Sequence, residues 1–178
     1  ADMVVLNEEQ ETAVRTITED YRNGIRKIYL LHGVTGSGKT EVYLNVIEEV
    51  VRSGKQVIML IPEIALTYQT VKRFKKRFGE RVSFLHSRLS DGEKFDQYNR
   101  AEQGGIDVII GPRSALFTPL PDVGLIVIDE EHEGSYKSEQ VPKYHARELA
   151  VEYAKMIGAS ILLGSATPSL ESYYRAEK

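Results

Sequence analysis

The sequence predicts a three-layer α/β domain, a mainly parallel β-sheet with helices on both faces, and three observations lead there. Short apolar runs alternate with helical patterns along the whole chain. Nearly every run is continuously apolar, without polar residues at alternate positions, as strands buried on both faces of a parallel sheet are. Clusters rich in Gly, Ser, Thr and acids follow four of the runs, at the strand ends where open parallel sheets place their ligands.

Each element has its own signal. Asn7 and Gln10 stand at capping-box spacing, and Ala13, Val14, Ile17 and Tyr21 continue at helical intervals, which gives a helix over 7–22. "KIYLLHG" is a strand ending at Gly33. "TEVYLNVIEEVVRSG" sets Val42, Val46, Ile47 and Val50 on one helical face before the stop at Gly54. The alternation then repeats: "QVIMLI" and a helix over Glu63–Phe78, "VSFLH" and a helix over Ser90–Gln103, then "DVIIG" and the turn-rich "PRSALFTPLPDVG". "LIVID" precedes a helix over His145–Met156, and "SILLG" a last helix after Pro168. No repeat or linker interrupts the pattern, so residues 1–178 read as one domain, long enough to bury a sizeable core.

Composition narrows the classes. The chain has no Cys, which excludes a disulfide scaffold and a Cys-based zinc site within these residues. No apolar run approaches the roughly 20 residues of a membrane span, and a cytoplasmic protein with no membrane partner is expected. The net charge is −3, so a bulk basic footprint for nucleic acid is missing. Basic residues are concentrated in "KRFKKRFGER", residues 72–81, where six stand against the one acid Glu80. Val71, Phe74 and Phe78 share one helical face there, leaving Lys72, Arg73, Lys75, Lys76 and Arg77 outward; a solvated face is expected in preference to a contact with DNA or a partner. Because the chain opens on Ala and stops within a charged helical pattern, an excised piece of a longer protein is expected.

Four clusters carry chemistry. "GVTGSGKT", Gly33, Val34, Thr35, Gly36, Ser37, Gly38, Lys39 and Thr40, fits G-x-x-x-x-G-K-[ST] between a strand and a helix. Glycines let backbone N–H groups turn toward phosphate, and the helix that follows offers its positive end to the same anion. Lys39 would reach the β- and γ-phosphates, and Thr40 would give a hydroxyl to Mg²⁺. In "VIDEEHEG" four carboxylates crowd together and repel unless a cation, a proton or open water relieves them. Asp129, at the end of an apolar strand, suits a Mg²⁺ ligand, and Glu130 suits a base that orients and deprotonates water. Glu131 and Glu133 suit a solvated loop as well, and His132 would couple the γ-phosphate site to another part of the protein. "GSATPS", Gly164 to Ser169, taken alone reads as an ordinary helix cap. "GPRSALF" places Arg113 and Ser114 at a strand end, where they could hold a phosphate.

In this order the clusters resemble the motifs of superfamily two helicases, with "PEIALT" between the first and the "GPRSALF" cluster. The wording of "GVTGSGKTEVYL", "IPEIALT", "RSALFTPL", "VIDEEHEGSYK" and "YHAREL" resembles one branch, the primosomal replication-restart helicases. That resemblance implies the ATP-binding half, RecA-like, of a P-loop motor moving 3′ to 5′ on DNA. It implies ATP and Mg²⁺ as cofactors, and single-stranded and forked DNA, a second RecA-like domain, the primosome and single-strand-binding proteins as partners. It gives Gln10 the reading of adenine, Thr67, Arg113 and Ser114 the DNA backbone, Ser165 and Thr167 the coupling of ATP state to the DNA track, and Tyr136 and Tyr144 a DNA-sensing loop. The fork-binding, winged-helix, zinc and second motor regions of the family are absent from the sequence. The isolated piece is therefore expected to bind ATP weakly and hydrolyse it poorly. A different P-loop enzyme, such as a small-molecule kinase, or a nucleotide-gated interaction module are the alternatives.

Overall fold

The computed structural model describes residues 6–32, 36–129 and 143–165. Six strands form one sheet: β1 (Ile28–Leu31), β2 (Gln56–Leu60), β3 (Val82–Phe84), β4 (Val108–Gly111), β5 (Val123–Asp129) and β6 (Ser160–Gly164). Their order is β1-β6-β5-β2-β4-β3, and every neighbouring pair is parallel. Among the described residues α1 (Glu8–Arg22) precedes β1, and four helices connect strands: α2 (Gly36–Arg52), α3 (Tyr68–Phe78), α4 (Asp91–Glu102) and α5 (Lys143–Ile157).

Strand alternation divides the core in two. On one face Val57, Met59, Val108, Ile110, Leu125, Val127 and Leu162 pack with Ile17 and Tyr21 of α1, with Val42, Tyr43, Val46, Ile47 and Val50 of α2, and with Phe74 of α3. On the other, Ile58, Leu60, Ile109, Ile126, Ile128, Ile161 and Leu163 pack with Ala101 of α4 and with Ala150 and Ala154 of α5. A fully buried Val, Leu or Ile gains about 1.5–3 kcal/mol over its exposed state, and each central strand contributes such residues to both faces. That is why these strands read as continuous apolar runs.

The expected capping box is present. The Asn7 amide donates to Gln10 Oε1 at 2.9 Å and the Gln10 amide to Asn7 Oδ1 at 2.8 Å, an N-cap that contributes about 1 kcal/mol. One expected helix is divided. In place of a single helix over 63–78 there is a 3₁₀ turn, Glu63–Ala65, and then α3. Leu66, at φ −83° and ψ 64°, leaves the helical region, and Thr67 starts a new helix by accepting the Thr70 amide at 3.2 Å on its hydroxyl. "RSALF" likewise forms a 3₁₀ turn, Arg113–Phe117, at the end of β4. The helix expected after Pro168 lies outside the described residues.

Candidate functional site

The P-loop candidate sits where the topology makes a deep crossing. From β1 at one edge of the sheet the chain passes over β6 and β5 to reach β2. Helix α2, which begins that crossing at Gly36, carries no acidic residue in its first turn, so its positive end faces the carboxyl edge undiminished. Gly38 and Lys39 are buried, Lys39 fully so, and Thr40 is half-buried. An ammonium group is placed this deep only where charge or strong acceptors meet it.

Three strand ends meet side by side beneath this helix. Leu31 of β1 is in register with Gly164 of β6, and Gly164 is in register with Asp129 of β5. By the period of two, Asp129 shares the face of Leu125 and Val127, which is the α2 face. Asp129 is buried. Ser165 is buried as well, and its amide donates to the Leu31 carbonyl at 3.0 Å, which ties the start of "SAT" to the residue two places before Gly33. The Thr40 hydroxyl and the Asp129 carboxylate are hard oxygen donors. They fit Mg²⁺, which keeps several waters and combines one or two carboxylates with phosphate oxygens. Among the described residues no group of three His, Asp or Glu could hold a metal by protein ligands alone.

Gly164 is required by a contact that sequence reading missed. A Cβ at this position would lie 1.5 Å from the Tyr43 hydroxyl oxygen, and Tyr43 is fully buried. The missing side chain of Gly164 is the space that admits the tyrosine from α2. No pattern in the sequence pairs residues this far apart.

Beyond β2, β4 and β3 the same edge carries the second group of candidates. Thr67 caps α3 and is exposed, as are Arg113 and Ser114 at the start of their 3₁₀ turn. The loops bearing them are laced together. The Ile61 amide donates to the Gly111 carbonyl at 2.9 Å and the Leu85 amide to the Ile110 carbonyl at 2.8 Å. Glu63 of "PEIALT" accepts the Ser87 amide at 2.5 Å and the Ser87 hydroxyl at 3.0 Å. The bonds from Ser87, the amide first, hold the Glu63 carboxyl below its ordinary range. Exposed Ile64, Tyr68 and Phe117 add apolar surface here.

Gln10 is buried, and its amide oxygen serves the capping box. Gly33, Val34, Thr35, Glu130, His132, Tyr136 and Thr167 lie outside the described residues, and so do the side chains of Ser37 and Tyr144. The strand register thus sets Asp129 and Ser165 beside Leu31 of β1, the strand that precedes the turn to Lys39 and Thr40, and the loops after β2 and β4 carry Thr67, Arg113 and Ser114 at the same sheet edge. A separate concavity of about 880 Å³ opens at the amino edge between β1, β6 and α5, lined by Lys27, Ile28, Val151, Lys155 and Ile161. None of the candidate site residues is among its lining residues.

The basic segment departs from expectation. Lys72, Lys75 and Lys76 are exposed, but Arg73 and Arg77 turn toward α2. Arg73 Nη2 donates to Glu41 Oε2 at 2.9 Å, and Arg77 Nη2 donates to Glu48 Oε2 at 2.7 Å and to Asn45 Oδ1 at 3.1 Å. Helix amphipathicity separated apolar from charged residues correctly. It could not show that a second helix lies against two of the charges.

The sequence profile of the family described as "Type III restriction enzyme, res subunit" matches residues 3–170. The chain is 51% identical over 173 residues to the replication restart protein PriA of Bacillus subtilis, covering 97% of the chain and 22% of that protein. It therefore spans less than a quarter of the length of this relative. Among solved structures it is similar to RecG bound to a three-way DNA junction, with a TM-score of 0.73 and 26% identity over 98% of this chain and 23% of that one. The helicase domain of Pyrococcus furiosus Hef shares the fold, with a TM-score of 0.62 and 22% identity over 94% of this chain and 34% of that one. The architecture is RecA-like. No helix among the described residues is long and apolar enough to cross a membrane.

Proposed function

The chain belongs to the family of the type III restriction enzyme res subunit, and on that premise we propose that it is the ATP-binding half of a 3′ to 5′ DNA helicase motor that acts in replication restart and primosome assembly. The observation that carries this reading is the in-register row Leu31, Gly164 and Asp129 beneath α2, because it sets a buried carboxylate on the same face as the helix that begins with the P-loop lysine.

In this reading the amino terminus of α2 and the Lys39 ammonium receive the phosphates of ATP, and the dipole of a 17-residue helix adds to the attraction. Thr40 and Asp129 hold Mg²⁺, which when bound supplies positive charge to the phosphate oxygens. Glu130 orients water and takes its proton. Gln10 reads adenine with donor and acceptor capacity beyond its cap bond. His132, Ser165 and Thr167 couple nucleotide state to the DNA track, which runs over Thr67, Arg113 and Ser114, with Tyr136 and Tyr144 sensing DNA. The replication-restart name of the Bacillus subtilis relative and the DNA junction in the RecG structure support a forked DNA substrate. A second RecA-like domain closes the cleft, so the chain alone binds ATP weakly and turns it over poorly. Single-strand-binding and primosomal proteins are the protein partners, and the cytoplasm is the site of action.

Calorimetric titration of Mg-ATP into this chain, with Lys39→Ala alongside, tests the site. Binding that disappears in the folded variant is expected. Binding of equal strength in both would show that ATP does not use the P-loop, and the reading would fall.

A further inference from the structure

The two arginines of α3 meet a row of acceptors on α2. Glu41, Asn45 and Glu48 stand at i, i+4 and i+7, on the one face of α2 that meets α3, and Arg73 and Arg77 stand at i and i+4 opposite them. Arg73 bonds Glu41. Arg77 Nε and Nη2 both bond Glu48 Oε2, at 3.0 and 2.7 Å, and its Nη1 lies 3.6 Å from Glu41 Oε1. Glu41 is only 12% exposed and the two arginines about a third, so water screens these pairs less than it screens an open surface pair. Phe74, between the two arginines in sequence, is fully buried and belongs to the same core cluster as Val42, Val46 and Ile47 of α2.

The ends of this contact give it meaning. Glu41 directly follows Lys39 and Thr40. Helix α3 begins at the Thr67 cap, six residues before Arg73. A stiff helix therefore joins each end of the Glu41–Arg73 pair to one of the two groups of site residues. Between them lie the charged contacts of Arg73 and Arg77 and the buried ring of Phe74.

We propose that Glu41 and Arg73, with Arg77 and Glu48 as a second tie, form a positioning strut between the phosphate site and the DNA-binding edge. Occupancy at the start of α2 shifts that helix, the strut carries the shift to α3, and the Thr67 end changes its hold on the DNA backbone. By linkage DNA changes nucleotide affinity by the same factor. This rests on the motor reading above. It also gives two of the six basic residues of the segment a role other than solvation or direct DNA contact.

The test uses the full-length protein that carries this motor half. Affinity for single-stranded DNA is measured with and without a non-hydrolysable Mg-nucleotide, and nucleotide affinity is measured without DNA. Arg73→Gln should lower the ratio of the two DNA affinities about tenfold, within the usual range of coupling between sites, and change DNA-free nucleotide affinity by less than about twofold. Arg73→Lys should keep most of the ratio. Should Arg73→Gln fail to fold, Arg77→Gln serves, with a smaller loss in the same direction. An unchanged ratio in a folded variant overturns the strut. So does a parallel fall of both affinities with thermal stability, which marks a simple clasp. If the unmutated protein shows no nucleotide effect on DNA affinity, the motor reading fails and the strut with it.

Discussion

The two edges of this one sheet use the same kinds of residue to opposite ends. At the amino edge, charged and polar groups meet one another across turns. Arg81 reaches Asp107 through two bonds of 2.7 and 2.9 Å. Lys55 lies 3.4 Å from Asp122, whose amide donates to Gln56 Oε1 at 2.7 Å. The Tyr29 hydroxyl donates to Asp20 at 2.8 Å, with Lys27 at 3.3 Å from the same carboxylate. At the carboxyl edge two charged groups are buried: Asp129 ends a central strand and Lys39 stands in the first turn of α2. Strand direction explains the contrast. In a parallel sheet every helix begins at the carboxyl edge, so positive helix ends and the groups that follow the strands collect there, and the amino edge is left to close turns.

Mutations should separate the two edges, and the largest effect is expected under the site. Gly164→Ala drives a methyl group into the Tyr43 hydroxyl and should cost about 3 kcal/mol, the upper end of ordinary overpacking. Urea denaturation measures it, and adding Tyr43→Phe should recover part of the loss. Stability unchanged in Gly164→Ala would mean that α2 and β6 adjust freely, and the tight junction at the carboxyl edge would have to be abandoned.

At the amino edge Arg81→Ala removes a half-exposed pair, and a loss of up to about 1 kcal/mol is expected. ATP binding should stay at the unmutated level. A drop in nucleotide affinity without unfolding would contradict the division of labour between the edges.

The smallest effect belongs to the Glu63–Ser87 clamp. Ser87 lowers the Glu63 carboxyl from its ordinary value, so the clamp's contribution is fully present above the unfolded value of about 4.3 and is lost as pH falls through the folded value. The stability gap between the unmutated chain and Glu63→Gln should be constant near neutral pH and shrink as pH falls below the unfolded value. A gap that does not change with pH across the acid range would assign the effect to packing.

How much of this could be read from residues alone differs from one feature to the next. Continuous apolar runs identified the strands, because burial on both faces removes polar residues from every position. The Asn7–Gln10 cap is a local pattern within one turn of helix and stands where spacing put it, whereas α2 begins at Gly36, ahead of the Thr40 at which its helical pattern opens. The break at Leu66 was missed, since a capping Thr inside a helical pattern looks like an ordinary helical residue until its hydroxyl is seen to accept the Thr70 amide.

The candidate site divides along the same line. Residue type and spacing selected Lys39, Thr40, Asp129, Arg113 and Ser114, because phosphate and metal chemistry demand particular donors close to a strand end, while Thr67 and Ser165 came from the family resemblance. The tertiary structure alone decided that Tyr43 fills the space of a missing Gly164 side chain, that Glu63 clamps Ser87, and that Arg73 and Arg77 face carboxylates of α2. Each of these joins residues 24 or more apart in the chain. Local pattern records what a residue needs around it, such as water, a core or a cap. Which distant partner meets that need is set by the order of the strands and the packing of helices across them.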